Sequence, residues 1–253
     1  MTSNSKIAVT GATGRVGRHI VDLLREQGYE PVPIARSLGV DVITGEGLDE
    51  ALRGVSTLID AATGASSDQA EATEFFTTAT RNLSAAAARA GVERVVLVSI
   101  IGIDKLSTGY NGAKLAQERL WLEGSIPVRV LRAAQFHEFV EQLMQWGRQG
   151  DTVYVPAMRT QLVAARSVAE SLVYLAVDES PSGGPIWEVA GPREERLAEM
   201  ARLLANGDGL RVEEGFDLGP DTALYMTDAP LPNPGARLAG PTFEEWLRAT
   251  RDK

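Results

Sequence analysis

Through the first half of the chain, short apolar runs alternate with stretches in which apolar residues recur every three or four positions. The two periodicities predict strands and helices in turn. Ile7-Ala8-Val9-Thr10 predicts a buried strand, and Val16 to Gln27 an amphipathic helix stopped by Gly28. Pro31 to Ala35 predicts a second strand, Asp41 to Thr44 a short third, and Leu58-Ile59-Asp60 a fourth. A long helix over Glu71 to Ala90 follows, ended by Gly91. Val95 to Ser99 then predicts a fifth strand, Tyr110 to Leu122 a helix, and Val128 to Leu131 a sixth strand. Alternation of this kind builds a parallel sheet with helices on both faces, because each crossover helix must bury its apolar stripe on the sheet. The predicted fold class is α/β, a doubly wound parallel sheet of the Rossmann type.

Beyond Ala134 the pattern loosens. A helix is predicted over Phe136 to Gly147, short extended pieces near Val153 and Leu162, a helix over Ser167 to Ala176 and a strand at Ile186 to Val189. Pro181-Ser182-Gly183-Gly184-Pro185 and Pro230 to Pro234 predict loops. Phe139, Leu143 and Trp146 share a helical face, a stripe that is more often core than ligand box. The expectation is one domain over residues 1–253. Its Rossmann core covers approximately 5–134 and 161–190, and a small C-terminal subdomain, approximately 135–160 and 191–253, covers the substrate side.

Composition narrows the chemistry. Lys and Arg number 25 against 34 Asp and Glu, a net charge of −9, and no basic run marks a nucleic-acid footprint, so no nucleic-acid partner is expected. The absence of cysteine excludes disulfides, thiolate zinc sites and thiol nucleophiles. His19 and His137 are the only histidines, too few and too scattered for a metal centre, so no metal is expected; His19, on the first helix, has no chemical partner. Met1 to Lys6 leads straight into a strand without the features of a leader, and no apolar stretch approaches the ~20 residues needed to span a bilayer. A cytoplasmic protein with no membrane partner is expected. The oligomeric state is left open.

The junction of the first strand and helix carries Thr10-Gly11-Ala12-Thr13-Gly14-Arg15-Val16-Gly17. Gly11 allows a tight turn, Gly14 lets the backbone approach a pyrophosphate, and Gly17 permits close packing of helix on sheet. The helix start, with Thr13, Arg15 and Val16, offers free N–H groups and a positive dipole end to phosphates. In such folds the second strand presents, about 20 residues past the loop, the side chain that distinguishes the two nicotinamide dinucleotides. Here it ends Ile34-Ala35-Arg36-Ser37, with a cation where an NAD binder carries Asp or Glu. A guanidinium suits a 2′-phosphate, so NADP(H) is favoured over NAD(H), with Arg15 as a second positive charge.

Tyr110-Asn111-Gly112-Ala113-Lys114 places a phenol and an ammonium four residues apart, on one helix face. A phenol with a pKa of ~10 is a poor acid or base at neutral pH, and a fixed cation nearby lowers it. Lys114 can do this and also donate hydrogen bonds to a ribose.

At these residues the chain resembles the short-chain dehydrogenase/reductase superfamily, and within it the atypical NmrA-like, NAD(P)H-binding branch. That branch includes NADPH-dependent quinone and dye reductases and redox-sensing regulators without turnover. Further markers are Arg36, the segment Ser99 to Asp104, and Arg132-Ala133-Ala134-Gln135-Phe136. The resemblance implies that Tyr110 exchanges the substrate proton, Lys114 holds the nicotinamide ribose, and Ser99 orients the carbonyl. Relatives often place a second serine where this chain has Ile100. Ala61-Ala62-Thr63 matches the small residues that relatives pass beneath the adenine side of the cofactor, and Glu46 stands where an adenine-contacting Asp is usual. Phe136 and His137 are placed by the same resemblance near the nicotinamide and the substrate mouth.

The function expected is an NADPH-dependent oxidoreductase that transfers hydride to a small carbonyl or quinone-type acceptor. The alternatives are a non-catalytic NADP(H) redox sensor of the NmrA type and, with less support, a sugar-nucleotide epimerase or dehydratase. The intact Tyr110 and Lys114 pair favours turnover, since a pure sensor has no need of it.

Overall fold

The computed structural model describes residues 5–178, 183–217 and 219–251. Its first half follows the hydrophobic pattern: β1 (Lys6–Thr10), α1 (Gly17–Glu26), β2 (Glu30–Ile34), α2 (Leu48–Ala51), β3 (Val55–Asp60), α3 (Gln69–Ala90), β4 (Arg94–Ile100), α4 (Gly109–Leu122) and β5 (Val128–Ala133). The long helix α3 begins where the Asp68 carboxylate accepts from the Ala70 and Glu71 amides, and it ends at Gly91 in the left-handed region.

The second half continues with α5 (His137–Trp146), β6 (Arg148–Gln149), β7 (Thr152–Val155), β8 (Arg159–Thr160), α6 (Ala165–Val177) and β9 (Ile186–Ala190). It closes with β10 (Glu195–Arg196), α7 (Leu197–Leu204), β11 (Arg211–Glu214), β12 (Arg237–Leu238) and α8 (Phe243–Arg251). The extended piece near Leu162 is a single parallel bridge between Phe136 and Val163 beside β8. Residues 230–234 are irregular, and the loop read at 181–185 lies partly outside the described residues.

Seven parallel strands in the order β12-β9-β5-β4-β3-β1-β2 form the central sheet. One face is covered by α1 and α6, where Ile20, Leu24, Val168 and Leu172 are buried. The other is covered by α2, α3 and α4, with Leu48, Leu83, Ala87 and Trp121. The fold is thus α/β and doubly wound. A third cluster, apart from the sheet faces, gathers Val140 and Leu143 of α5, Val153 of β7, Leu197 of α7 and Phe243 of α8.

The strand expected at Asp41 to Thr44 does not form. The Asp41 carboxylate accepts from the Ile43 amide at 2.7 Å, and the Asp41 carbonyl accepts from the Gly45 amide at 2.9 Å, so the segment closes into a turn. Its apolar side chains turn inward all the same: Val42 is buried, Val40 and Ile43 are half-buried against the second face, and Asn82 of α3 holds the Val42 and Ile43 carbonyls.

The order of the strands reverses at β1, which pairs with β2 on one side and β3 on the other. In register, Thr10 lies opposite both Ile34 and Asp60. The glycine loop, the Arg36 turn and the segment from Ala61 to Thr63 therefore leave the sheet at one level, at the crevice where doubly wound folds bind ligands.

Candidate active site

Glycine is required in the loop after β1 by what lies around it. Gly11 has φ +62°, and a Cβ there would lie 2.5 Å from the Ala61 carbonyl oxygen at the end of β3. A Cβ on Gly17 would lie 2.1 Å from the Gly11 carbonyl oxygen. Gly14 donates its amide to that same oxygen at 2.8 Å, closing the turn between them. The start of α1 is thereby pressed against the loop and β3. No side chain caps α1 and its first turn holds no acid, which leaves its leading amides to an anion. Arg15 is exposed, with Nη2 3.4 Å from Gln142 Oε1. Arg36 and Ser37 are exposed in a short 3-10 turn after β2, Thr13 is exposed in the loop, and Val16 is buried beneath it. Glu46 is exposed in the turn after Asp41.

Asp60, the last residue of β3, is wholly buried and is the centre of a network that the sequence did not announce. Its Oδ1 accepts from Thr10 Oγ1 at 2.6 Å and from the Ala62 amide at 3.3 Å. Its Oδ2 accepts from Gln117 Nε2 and Trp121 Nε1, both at 2.9 Å. Thr10 Oγ1 in turn accepts the Ala61 and Ala62 amides at 3.1 Å, so the path of the chain into Thr63 is fixed from below. Gln117 links this carboxylate to the ammonium: Lys114 Nζ donates to Gln117 Oε1 at 2.6 Å and stands 4.8 Å from the centre of the Phe76 ring. Burial pushes the Lys114 pKa down to about 8, with the charges of Asp60 and Glu118 pulling the other way.

Tyr110, on the first turn of α4, packs edge-on against Phe76 and has its Oη 2.8 Å from Thr63 Oγ1. Burial raises its pKa, and the Thr63 hydrogen bond works against that rise. The lowered phenol pKa expected from the helical spacing is therefore not what this geometry gives, because desolvation dominates at the phenol. A phenol held in its neutral form is a proton donor.

Ser99 is turned elsewhere. It is buried, and its Oγ donates to Glu118 Oε2 at 2.6 Å. The same carboxylate takes a two-pronged contact from Arg132, with Nη2 to Oε1 at 2.6 Å and Nε to Oε2 at 3.2 Å. Ser99 thus belongs to a buried ionic clasp between β4, α4 and β5, and the carbonyl-orienting role implied by the resemblance is corrected on that ground. Glu118 lies four residues after Lys114 and Gln117 three. Those intervals place both on the lysine's side of the helix, the one hint of their role in the sequence.

The substrate role read for His137 is likewise corrected. Its ring is buried between Phe243 and Trp246, each 5.4 Å away between ring centres, and Nε2 donates to the Pro241 carbonyl at 3.1 Å. It joins α5 to α8. Burial lowers its pKa to about 4 from 6.5, and the Pro241 bond works against that fall. Because the folded value lies below the unfolded one, the contribution of this residue is intact above pH 6.5 and is lost as pH falls toward 4. The difference corresponds to about 3 kcal/mol. Urea denaturation between pH 7 and pH 4 should show this loss in the wild type, and a His137→Phe variant should show a shallower slope.

Phe136, immediately before α5, is half-buried against the cluster shared by α1 and α6. In the helical stripe of α5, Leu143 is buried, Phe139 packs beside it, and Trp146 is exposed with its ring 5.7 Å from that of Phe139. The C-terminal region reaches the start of α4 through the turn Thr222–Met226: Asp221 accepts from the Thr108 amide and hydroxyl at 2.8 Å, and Asn111 donates to Tyr225 Oη at 2.8 Å. Among the described residues no three His, Cys, Asp or Glu are placed to hold a metal ion, and no helix is long and apolar enough to cross a membrane.

Residues 11–125 match the family described as NAD(P)H-binding. No curated protein matches the sequence. Among solved structures, the UDP-N-acetylglucosamine 4-epimerase of Bacillus cereus superposes with a TM-score of 0.68 at 20% identity, over 98% of this chain and 97% of that one. MoeE5 in complex with UDP-glucuronic acid and NAD gives 0.70 at 20% identity, over 97% and 100%. A short-chain dehydrogenase/reductase superfamily protein from Agrobacterium tumefaciens with bound NAD gives 0.67 at 18% identity, over 98% and 97%.

Proposed function

The chain carries an NAD(P)H-binding domain in the fold of the short-chain dehydrogenase/reductase superfamily, and from that premise we propose that it is an NADPH-dependent oxidoreductase acting on a small carbonyl or quinone-type acceptor. The observation that carries the reading is the placing of the Tyr110 phenol, one helical turn from buried Lys114 and 2.8 Å from Thr63 Oγ1 in the segment after β3. The crevice suits a dinucleotide because Gly11 and Gly17 let the loop close tightly on β3 and on the start of α1, whose leading amides no side chain caps. When bound, that cofactor supplies the hydride. Gly11, Thr13, Gly14, Arg15, Val16 and Gly17 hold the pyrophosphate, Arg36 and Ser37 meet the adenosine end, and Ala61, Ala62 and Thr63 floor the groove. The exposed Arg36 guanidinium supports NADP(H) over NAD(H), being free to form a forked contact with a 2′-phosphate. Lys114 hydrogen-bonds the ribose and Tyr110 gives its proton to the acceptor oxygen. Residues 135–160 and 191–251 cover the acceptor side, with Phe136 at its edge.

A second reading, a sugar-nucleotide epimerase or dehydratase, is supported by the full-length likeness to the Bacillus cereus epimerase and MoeE5. The two are separated by assay. Purified protein is titrated with NADPH and NADH, then offered aldehydes and quinones with NADPH, and UDP-hexoses with NAD. The reductase reading expects NADPH consumption with the first panel. It also expects Tyr110→Phe to lower kcat by about 100-fold or more while the Kd for NADPH changes little. Conversion of a UDP-hexose, with no NADPH consumption, would establish the second reading instead. NADPH binding with no turnover in either panel would favour a redox sensor.

A further inference from the structure

The hydroxyl beside the reacting phenol comes from an unexpected place. Ser99 donates its single hydroxyl hydrogen to a hydrogen bond with the Glu118 carboxylate, and Arg132 fastens that carboxylate from the other side. It is buried in the clasp and has no proton left for an acceptor oxygen. Thr63 is exposed, and its Oγ1 lies 2.8 Å from Tyr110 Oη. The same Oγ1 lies 3.2 Å from the Gly64 carbonyl oxygen, which can take its hydrogen. Its backbone is steadied by the Thr10 hydroxyl, which holds the Ala61 and Ala62 amides just ahead of it.

On the reductase reading, we propose that Thr63 is a catalytic residue that takes the part of the serine, hydrogen-bonding the Tyr110 oxygen throughout proton transfer. Before the step, Tyr110 donates to Thr63 Oγ1 and Thr63 donates to Gly64. With an acceptor in place, the Tyr110 O–H turns from Thr63 to the acceptor oxygen and the Thr63 hydroxyl turns from Gly64 to Tyr110 Oη. Hydride from NADPH then adds to the acceptor carbon, the Tyr110 O–H bond breaks, and the proton bonds to the acceptor oxygen. NADPH leaves oxidised and the acceptor leaves as the alcohol. The Thr63 hydroxyl, turned from Gly64, goes on donating to the phenolate until solvent returns the proton. A rotor of this kind needs a hydroxyl at position 63, and no aliphatic side chain of the same shape can replace it.

Two measurements test this, one of them independent of turnover. Ultraviolet titration of the tyrosines, with Tyr110→Phe subtracted to isolate Tyr110, should show its ionisation moving to higher pH in Thr63→Val, because a hydrogen bond to the phenolate is lost. Phe76 of α3, edge-on to the Tyr110 ring, carries no charge, burial and the Thr63 hydrogen bond are what set the phenol's titration, and Lys114 on its own helix is unchanged in the variant. In turnover, Thr63→Val should lower kcat by about 10- to 100-fold, and Thr63→Ser should recover most of it. Thr63→Val turning over like wild type, or an unmoved Tyr110 titration, overturns the proposal. A wild type that consumes no NADPH with any acceptor overturns the reductase reading and the catalytic role with it, while the titration still reports on the hydrogen bond.

Discussion

Gly17→Ala should reduce NADPH affinity by more than about 100-fold, a loss that follows from backbone geometry alone. The added methyl would sit 2.1 Å from the Gly11 carbonyl oxygen, 2.7 Å from its carbon and 2.9 Å from the Ala12 Cα. None of these is the tip of a movable side chain. Either α1 backs away from the loop or the loop opens, and both carry the leading amides away from the place where phosphates would sit. Overpacking of this kind also costs about 1–3 kcal/mol of stability, so urea denaturation should accompany the fluorescence titration. Gly28→Ala is the informative control. Its φ is positive, +80°, and nothing lies within 4 Å of its added methyl. It should cost about 1 kcal/mol and leave the Kd for NADPH unchanged. Wild-type affinity in Gly17→Ala would remove the glycine loop from the cofactor site.

The loop was legible because its requirement is local. Three glycines at fixed spacing between an apolar strand and an amphipathic helix specify a close approach whatever the rest of the chain does. The crossover pattern was legible for the same reason, since a helix over residues 69–90 with a left-handed glycine at its end needs no distant partner to declare itself. Asp41 to Thr44 misled because apolar periodicity reports burial and not conformation: Val42 is buried as a strand residue would be, but the Asp41 side chain competes for the backbone and makes a turn. His137 misled for a different reason. The face it turns to is set by α8, which begins about a hundred residues later, and no local pattern around Phe136 reveals that contact. The start of α8 itself carried a readable signal. Thr242 and Glu245 form a reciprocal capping box, with the Thr242 amide donating to Glu245 Oε2 at 2.9 Å and the Glu245 amide to Thr242 Oγ1 at 3.3 Å. Ser99 sits where the resemblance puts it along the chain, but the direction of its hydroxyl depends on a glutamate on α4 and an arginine on β5.

The largest loss of all is expected at Asp60, a residue with no contact to solvent. Asp60→Ala strands the Thr10 hydroxyl, the Gln117 amide and the Trp121 indole N–H in one buried place, while the Ala62 amide keeps its bond to Thr10 Oγ1. Breaking a buried ionic network by deleting one partner costs about 3–5 kcal/mol, and this carboxylate also offsets the buried charge of Lys114. Asp60→Asn keeps the volume and separates the two effects. Both oxygens of Asp60 face donors, so the amide nitrogen of Asn must point at one of them, and stability still falls, though by less than in the alanine variant. Its charge is gone in either orientation. Lys114 already has a pKa near 8 because burial disfavours its ammonium, and the Asp60 charge is one of the two that hold it up. Removing that charge moves the lysine pKa further down. In the wild type, processes that need the ammonium should fail as pH rises through about 8, and in Asp60→Asn the same failure should begin at lower pH. The measurement is the pH dependence of kcat/KM, or of NADPH affinity where turnover is absent, beside urea denaturation at pH 7. An alkaline limb at the same pH in both proteins would show that Asp60 supports the fold without tuning Lys114, and unchanged stability in Asp60→Ala would contradict the network itself.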